Sequence, residues 1–237
     1  MAAVIGPALA RALASGARDL EAFALPQRCP GCGWPAEPER LLCETCFQRI
    51  PVLSFALCAR CLSRGREAVG CARHPWAQVW PALVYDERAA LLVHALKYGG
   101  RPGLAEALAG PLARALPPAS AVDLVTAVPM HPARRRERGY NQAWRLAARL
   151  ASRLGAPAIE DVLARVRPTP SQARLDPAAR RLNLADAFRV TEPRRYRDRR
   201  VLVVDDVLTT GATLEACLEA LATAGARPLG AALAWAQ

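Results

Sequence analysis

Short continuous runs of apolar residues alternate along the chain with longer stretches in which apolar positions recur every three or four residues. The runs at 80–85, 124–128, 201–204 and 229–235 predict strands, the second closed by Pro129. The periodic stretches at 89–98, 104–116, 141–154 and 213–224 predict helices, with Pro111 expected to interrupt the second. Strands that are apolar throughout are buried on both faces. Alternated with helices, they predict an α/β fold with a parallel sheet covered by helices on both faces, whose ligands sit at the carboxyl ends of the strands.

The first part of the chain follows another pattern. Val4, Leu9, Leu13, Leu20 and Phe23 predict an amphipathic helix. The apolar start has no basic n-region and is broken by Arg11, so a packing helix is expected there rather than a signal peptide. No apolar run reaches the length of about 18 residues that a spanning helix needs, so no membrane insertion is expected. The following stretch has too few large apolar residues to build a core of its own. The expected organisation is a helix at 1–26, a small metal-stapled module at 27–76 and the α/β domain at 77–237.

Seven of the eight cysteines lie between Cys29 and Cys71. They form three C-x-x-C pairs, Cys29/Cys32, Cys43/Cys46 and Cys58/Cys61, and a C-x-x-H pair, Cys71/His74. Two ligands three residues apart on a tight turn reach one tetrahedral zinc, and Pro30, Gly31 and Gly33 supply turn chemistry for the first pair. Four pairs fill two closed, structural zinc sites, whose metal contributes much of the folding free energy. The thioredoxin-like context and the ferredoxin spacing are both absent, which disfavours redox and iron–sulfur readings. Sequential pairing closes the shorter loops, joining Cys29, Cys32, Cys43 and Cys46 on one metal and Cys58, Cys61, Cys71 and His74 on the other. Interleaved pairing would join the first pair with the third. Cys217, alone on a helix, is expected to be a buried small hydrophobe.

Charge adds a partner class. The formal net charge of +11 points to phosphates, in nucleotides, diphosphates or nucleic acid. The basic residues are almost all arginine, and Lys97 is the only lysine. Asn141 and Asn183 are the only asparagines, and His74, His94 and His131 the only histidines. Residue types this rare mark positions where a common one will not serve.

The strongest motif runs Val201-Leu-Val-Val-Asp205-Asp206-Val-Leu-Thr209-Thr210-Gly211-Ala212-Thr213-Leu214. A buried strand delivers two carboxylates to its edge, and a Thr/Gly-rich turn opens a helix. Successive backbone N–H groups and the helix N-terminus suit a phosphate monoester, and Thr209, Thr210 and Thr213 add hydroxyls. The carboxylates suit vicinal ribose hydroxyls and are expected to face solvent. A Walker-type ATPase is excluded, because no G-x-x-x-x-G-K-[ST] occurs.

This stretch resembles the phosphoribosyl-diphosphate (PRPP) motif of type I phosphoribosyltransferases. Other segments narrow the resemblance: His94-Ala-Leu-Lys97-Tyr98; Val128-Pro129 with Arg134 and Arg138-Gly139-Tyr140-Asn141-Gln142; and Thr169, Gln172, Leu175, Arg180, Asn183 and Ala187-Phe188. Together with the four knuckles they resemble the ComF family, a competence-associated, phosphoribosyltransferase-like group with an N-terminal zinc ribbon. His74 stands where that family usually has cysteine.

The resemblance implies a type I phosphoribosyltransferase fold and a cytoplasmic protein that serves DNA uptake in natural transformation. Asp205, Asp206 and Thr209 to Thr213, including Gly211 and Ala212, would bind PRPP. Residues 128–142 would form the diphosphate loop, with Tyr140, Asn141 and Gln142 in it. Residues 165–188 would form a hood carrying Gln172, Arg180 and Asn183. Lys97, Arg134 and Arg138 are the candidates for catalysis, and Mg²⁺ would accompany PRPP. His94 and His131 are expected to have core or surface roles. The alternative is a non-catalytic module that binds single-stranded DNA or other competence proteins. Eleven arginines against four acids between Arg165 and Arg200 fit that alternative, and Tyr196 among them is a candidate to stack on a base.

Overall fold

In a computed structural model, the described residues are 28–29, 32–36, 41–64, 71, 73–98, 102–117, 121–166, 184 and 186–237. The expected helix at 1–26 and the hood residues Gln172, Arg180 and Asn183 lie outside them. The chain divides into two compact units, 1–50 and 51–237. The boundary therefore falls inside the stretch expected to form one metal-stapled module, and the two halves of that stretch belong to different units.

In the first unit, Arg28 and Pro35 form an antiparallel bridge around the first knuckle. Helix α1, Glu44–Gln48, starts directly after Cys43.

The second unit contains β1 (Leu57–Cys58), β2 (Gln78–Val84), α2 (Glu87–Tyr98), α3 (Pro102–Ala115), β3 (Leu124–Ala127), α4 (Pro132–Arg138), α5 (Gln142–Leu154), β4 (Leu163–Arg165), β5 (Phe188–Val190), α6 (Pro193–Tyr196), β6 (Arg200–Leu208), α7 (Ala212–Thr223) and β7 (Arg227–Trp235). Five strands form one sheet in the order β1-β2-β7-β6-β3. The pairs β2/β7, β7/β6 and β6/β3 are parallel, and the two-residue β1 adds an antiparallel edge. Strands β4 and β5 form a separate antiparallel pair.

Val201 to Val204 are wholly buried, as a central strand apolar at every position requires. Alternation along β6 sends Val201 and Val203 into the cluster that holds Cys217, Leu218 and Leu221 of α7. Leu202 and Val204 face the other side, where α5 and α3 pack on each other and on the sheet. Gly230 of β7 lets α7 approach: a Cβ there would fall 2.7 Å from a methyl of Val79 and 3.1 Å from one of Leu214. Cys217 is fully buried, as a small hydrophobe should be.

Two elements differ from expectation. Helix α3 runs unbroken through Pro111. The residue before it is Gly110, which has no Cβ to collide with the pyrrolidine ring, and this removes one of the clashes that would end the helix there. Strand β6 continues to Leu208, because β7 runs on to Trp235 and pairs with it.

Candidate functional site

The site forms where β6 outruns its neighbour on one side. Strand β3 ends at Ala127, opposite Val204, and the Val128 N–H donates to the Val204 carbonyl at 2.9 Å. Asp205 and Asp206 therefore extend past β3 while still in the strand, Asp205 beside Ala232 of β7. Thr209 and Thr210 follow, and Gly211 takes a left-handed conformation, φ 78°, that opens α7. Asp205, residues 207–213 and Leu214 line a small, half-open cleft at the helix N-terminus. Gly211 and Ala212 are buried, and Thr209 is exposed.

The two carboxylates do not both face solvent, contrary to the sequence-based expectation. Neighbouring strand residues project to opposite faces. Asp206 is 7% exposed. It accepts from the Gln142 amide at 2.8 Å and pairs with the Lys97 ammonium at 3.1 Å. Asp205 is only partly buried, and its Oδ1 accepts from the Asp206 N–H at 2.8 Å. Desolvation, then the charge of Asp206, raises the Asp205 carboxyl well above the usual range. Cys217 lies on the Asp205 side, and burial followed by the Asp205 charge raises its thiol.

From Asp206 the contacts run outward. The Arg138 guanidinium donates to Gln142 at 3.3 Å and to the Tyr98 hydroxyl at 3.0 Å, and stacks over the Tyr98 ring at 5.0 Å. The Tyr140 hydroxyl donates to the Leu96 carbonyl at 2.7 Å, and the Arg145 guanidinium sits 3.5 Å over the Tyr140 ring. The end of α2 is thereby tied to the turn between α4 and α5. Asn141 caps α5 by accepting from the Ala143 N–H at 3.0 Å, and its amide donates to Val128 at 3.0 Å. His131 caps α4, accepting from the Ala133 N–H at 3.2 Å. His94 is exposed and packs on Tyr98 at 5.0 Å.

Lys97, Gln142 and Asp206 are thus one cluster, with Arg138 next in line. Arg134 is exposed on α4 and lies close enough to Arg165 to lower the latter's pKa, an effect second to burial. Arg135 pairs with Glu160 at 3.1 Å. Tyr196 cannot stack on a base: α6 turns the ring into the core, where it is 1% exposed. Its arginine neighbours hid this: of the four-residue helix only Tyr196 is buried. The Lys97–Asp206 pair was missed by the sequence, although the rarity of lysine had marked Lys97.

The cysteines gather sequentially. Cys29, Cys32, Cys43 and Cys46 form one group, and Cys58, Cys61, Cys71 and His74 the other, the ligand atoms of each lying within 4.8 Å of one another. The sulfurs of Cys32 and Cys43 are 3.5 Å apart, and Cys58 Sγ is 3.6 Å from His74 Nδ1. Zinc–sulfur bonds of about 2.3 Å place tetrahedral ligands near that separation, so both groups can hold a structural zinc ion. Contact with Cys32, then burial, pushes the Cys46 thiol up to about 12. In the second group burial pushes Cys58 up to about 11, while the Ser63 hydroxyl pulls Cys61 down to about 6.

The phosphoribosyl transferase domain family matches residues 105–237. DNA utilization protein YhgH of Salmonella typhimurium (strain LT2) is 32% identical over 204 residues, covering 84% of this chain and 79% of that protein. The chain belongs to the ComF family. Competence protein F of Haemophilus influenzae is 31% identical over 189 residues, 73% of this chain and 80% of its own length. YhgH of Escherichia coli (strain K12) is 29% identical over 204 residues. The domain match in this ComF chain begins inside α3 and takes in β3, β6, β7 and the whole turn 209–213. Among the described residues no helix is long and apolar enough to cross a membrane.

Proposed function

We propose that the chain binds PRPP, or a related ribose 5-phosphate, at the carboxyl end of β6, and that this site serves the use of incoming DNA in the cytoplasm. One observation carries the reading: a cleft bounded by Asp205 and the turn 209–213 opens at the N-terminus of α7. There the N–H groups of the turn and the helix dipole favour the dianion of a phosphate monoester. The hydroxyls of Thr209, Thr210 and Thr213 donate to the same oxygens. Asp205, which lines the cleft, accepts from the ribose hydroxyls, and Asp206, on the other face of the strand, holds Lys97 and Gln142 beside it.

Lys97 and Arg138 come from different elements to one side of Asp206, where they meet the diphosphate. Arg134, exposed on α4, adds positive charge there. A diphosphate brings Mg²⁺ with it, held mainly by its own oxygens. If a transfer occurs, the C1–O bond breaks toward an oxocarbenium-like state, and these cations stabilise the departing charge. Hood residues Gln172, Arg180 and Asn183 complete this reading.

The names of the relatives, DNA utilization protein and competence protein F, support the DNA-related role. They also favour a second reading, a non-catalytic module that binds single-stranded DNA or competence proteins and keeps the pocket as a sensor. Calorimetric titration with PRPP and ribose 5-phosphate tests the first reading, and pyrophosphate release with candidate acceptors separates the two. Absence of binding by zinc-loaded protein with Mg²⁺ would overturn the PRPP assignment.

A further inference from the structure

The second cysteine cluster belongs to the same compact unit as the turn 209–213, and the two are in contact. A Cβ placed on Gly211 would fall 2.9 Å from the carbonyl carbon of Ala59 and 3.3 Å from its Cα, and closer still to its oxygen. Ala59 is the second residue of the Cys58–Cys61 knuckle. The knuckle backbone therefore lies directly against the glycine at which the turn becomes a helix. The next residue reaches one helical turn further: Arg60 pairs with Glu215 at 3.4 Å. The Glu215 N–H in turn donates to the Gly211 carbonyl at 2.8 Å. Two successive knuckle residues thus bracket the first turn of α7.

The knuckle is held by core packing as well as by its ligands: Leu57, Cys58 and Ala59 are wholly buried in the cluster that includes Leu214 and Cys217 of α7. Its regular structure is the two-residue β1, paired with the start of β2. The Ala59 N–H donates to the Ala77 carbonyl at 2.8 Å, and the Ala77 N–H donates to the His74 carbonyl at 3.0 Å. Both halves of the ligand set, Cys58/Cys61 and Cys71/His74, thus converge on Ala59. A metal that closes them fixes its carbonyl. The ligands thus add a second constraint on Ala59 to the one that packing supplies.

We propose that metal in the Cys58, Cys61, Cys71 and His74 cluster positions the phosphate-binding turn, with Ala59 backing Gly211 and Arg60 tying Glu215. Ala59 and Arg60 are positioning residues, and the proposal rests on reading 209–213 as the phosphate site. A preordered turn binds a monoester without first having to order itself, so ligand affinity depends on the cluster.

The test compares His74→Ala, His74→Cys, Arg60→Ala and Cys43→Ser with the unaltered full chain. Zinc content, hydrogen exchange of residues 209–217 and calorimetric titration with ribose 5-phosphate are measured for each. In His74→Ala, one zinc should be lost, exchange at 211–217 should rise about tenfold with 201–204 still protected, and affinity should fall about tenfold. His74→Cys, which restores a ligand, should reverse all three. Arg60→Ala should keep its zinc and loosen the same residues by a smaller factor. Unchanged exchange at 209–217 in zinc-depleted His74→Ala overturns the proposal. So does loosening that spreads equally to 201–204, or equal loosening of the turn in Cys43→Ser. If His74→Ala does not fold, Arg60→Ala decides, and unchanged exchange there refutes the bracket. If ribose 5-phosphate fails to bind the fully loaded chain, the phosphate reading falls, while exchange still reports whether the turn depends on the metal.

Discussion

The only lysine of the chain, Lys97, stands 3.1 Å from the carboxylate of Asp206. Lys97 ends a surface helix and Asp206 lies in the central strand, so the pair fixes α2 over the carboxyl edge of the sheet. The Lys97 ammonium and the Gln142 amide converge on the same atom, Asp206 Oδ2, which suits a compact point cation better than an arginine fork built to span two oxygens.

Lys97→Met should lower the stability of the chain by about 2 kcal/mol, because it leaves the Asp206 charge buried without its cation beside Asp205. The figure sits below that of a fully buried pair because the lysine retains some solvent contact. Urea denaturation followed by circular dichroism measures it. In the Asp206→Asn background the same substitution should cost much less, and equal losses in both backgrounds would deny the coupling.

Asp205 points to a pH effect of opposite sign to that of an ordinary ion-paired carboxylate. Its folded pKa is raised, first by desolvation and then by Asp206, so the folded chain holds this proton more tightly than the unfolded chain. Its contribution to stability is therefore full below the usual carboxylate range and is lost as pH rises from there through the raised value. Asp205→Asn should remove that loss and raise the melting temperature at neutral pH, while weakening PRPP binding. Melting curves across pH that stay parallel for the two proteins would contradict this.

What the sequence could convey divides by distance along the chain. Val201 to Val204, apolar at every position, announced a central parallel strand, and the Thr/Gly turn announced a helix start, because both are local patterns. Sequential gathering of the cysteines followed from loop length. The end of β6 was not legible: its extension to Leu208 depends on β7, and that extension decides that Asp206 faces inward. The approach of Ala59 to Gly211 joins residues far apart in the chain, and no local pattern encodes it. Tyr196 misled because a lone aromatic among arginines looks like surface, whereas the short helix turns that ring into the core.

Asn141→Ala should destabilise the chain by roughly 2 kcal/mol, since one side chain both caps α5 and satisfies the Val128 carbonyl. Asn141→Asp keeps the cap but not the amide donor, so it should fall between the two in chemical denaturation. Equal stability of Asn141→Ala and the unaltered chain would remove Asn141 from the support of the loop.

Metal analysis of the purified chain should find two zinc ions, one for each four-ligand group. Cys43→Ser should lose one ion and unfold the first group while the sheet of the second unit keeps its circular dichroism. One ion or none in the unaltered protein would overturn the two-site assignment.

The arginines around α6 test the DNA-related reading. Arg194, Arg195, Arg199 and Arg200 are exposed, and Arg195 is engaged with Glu192 at 3.2 Å. Tyr196 is buried, so single-stranded DNA on this face would be held by phosphate contacts without base stacking. Each phosphate contact to a single strand contributes about 0.7 to the slope of log affinity against log salt. Replacing the four arginines by alanine should flatten that slope by up to about 3, fewer if Arg195 keeps to Glu192. A labelled oligonucleotide titrated across salt concentrations measures the change. An unchanged slope would make the run a solvated face. PRPP competition with the oligonucleotide in that same protein would place the DNA contact at the turn 209–213 instead, where a strand phosphate would occupy the cradle of the ribose phosphate.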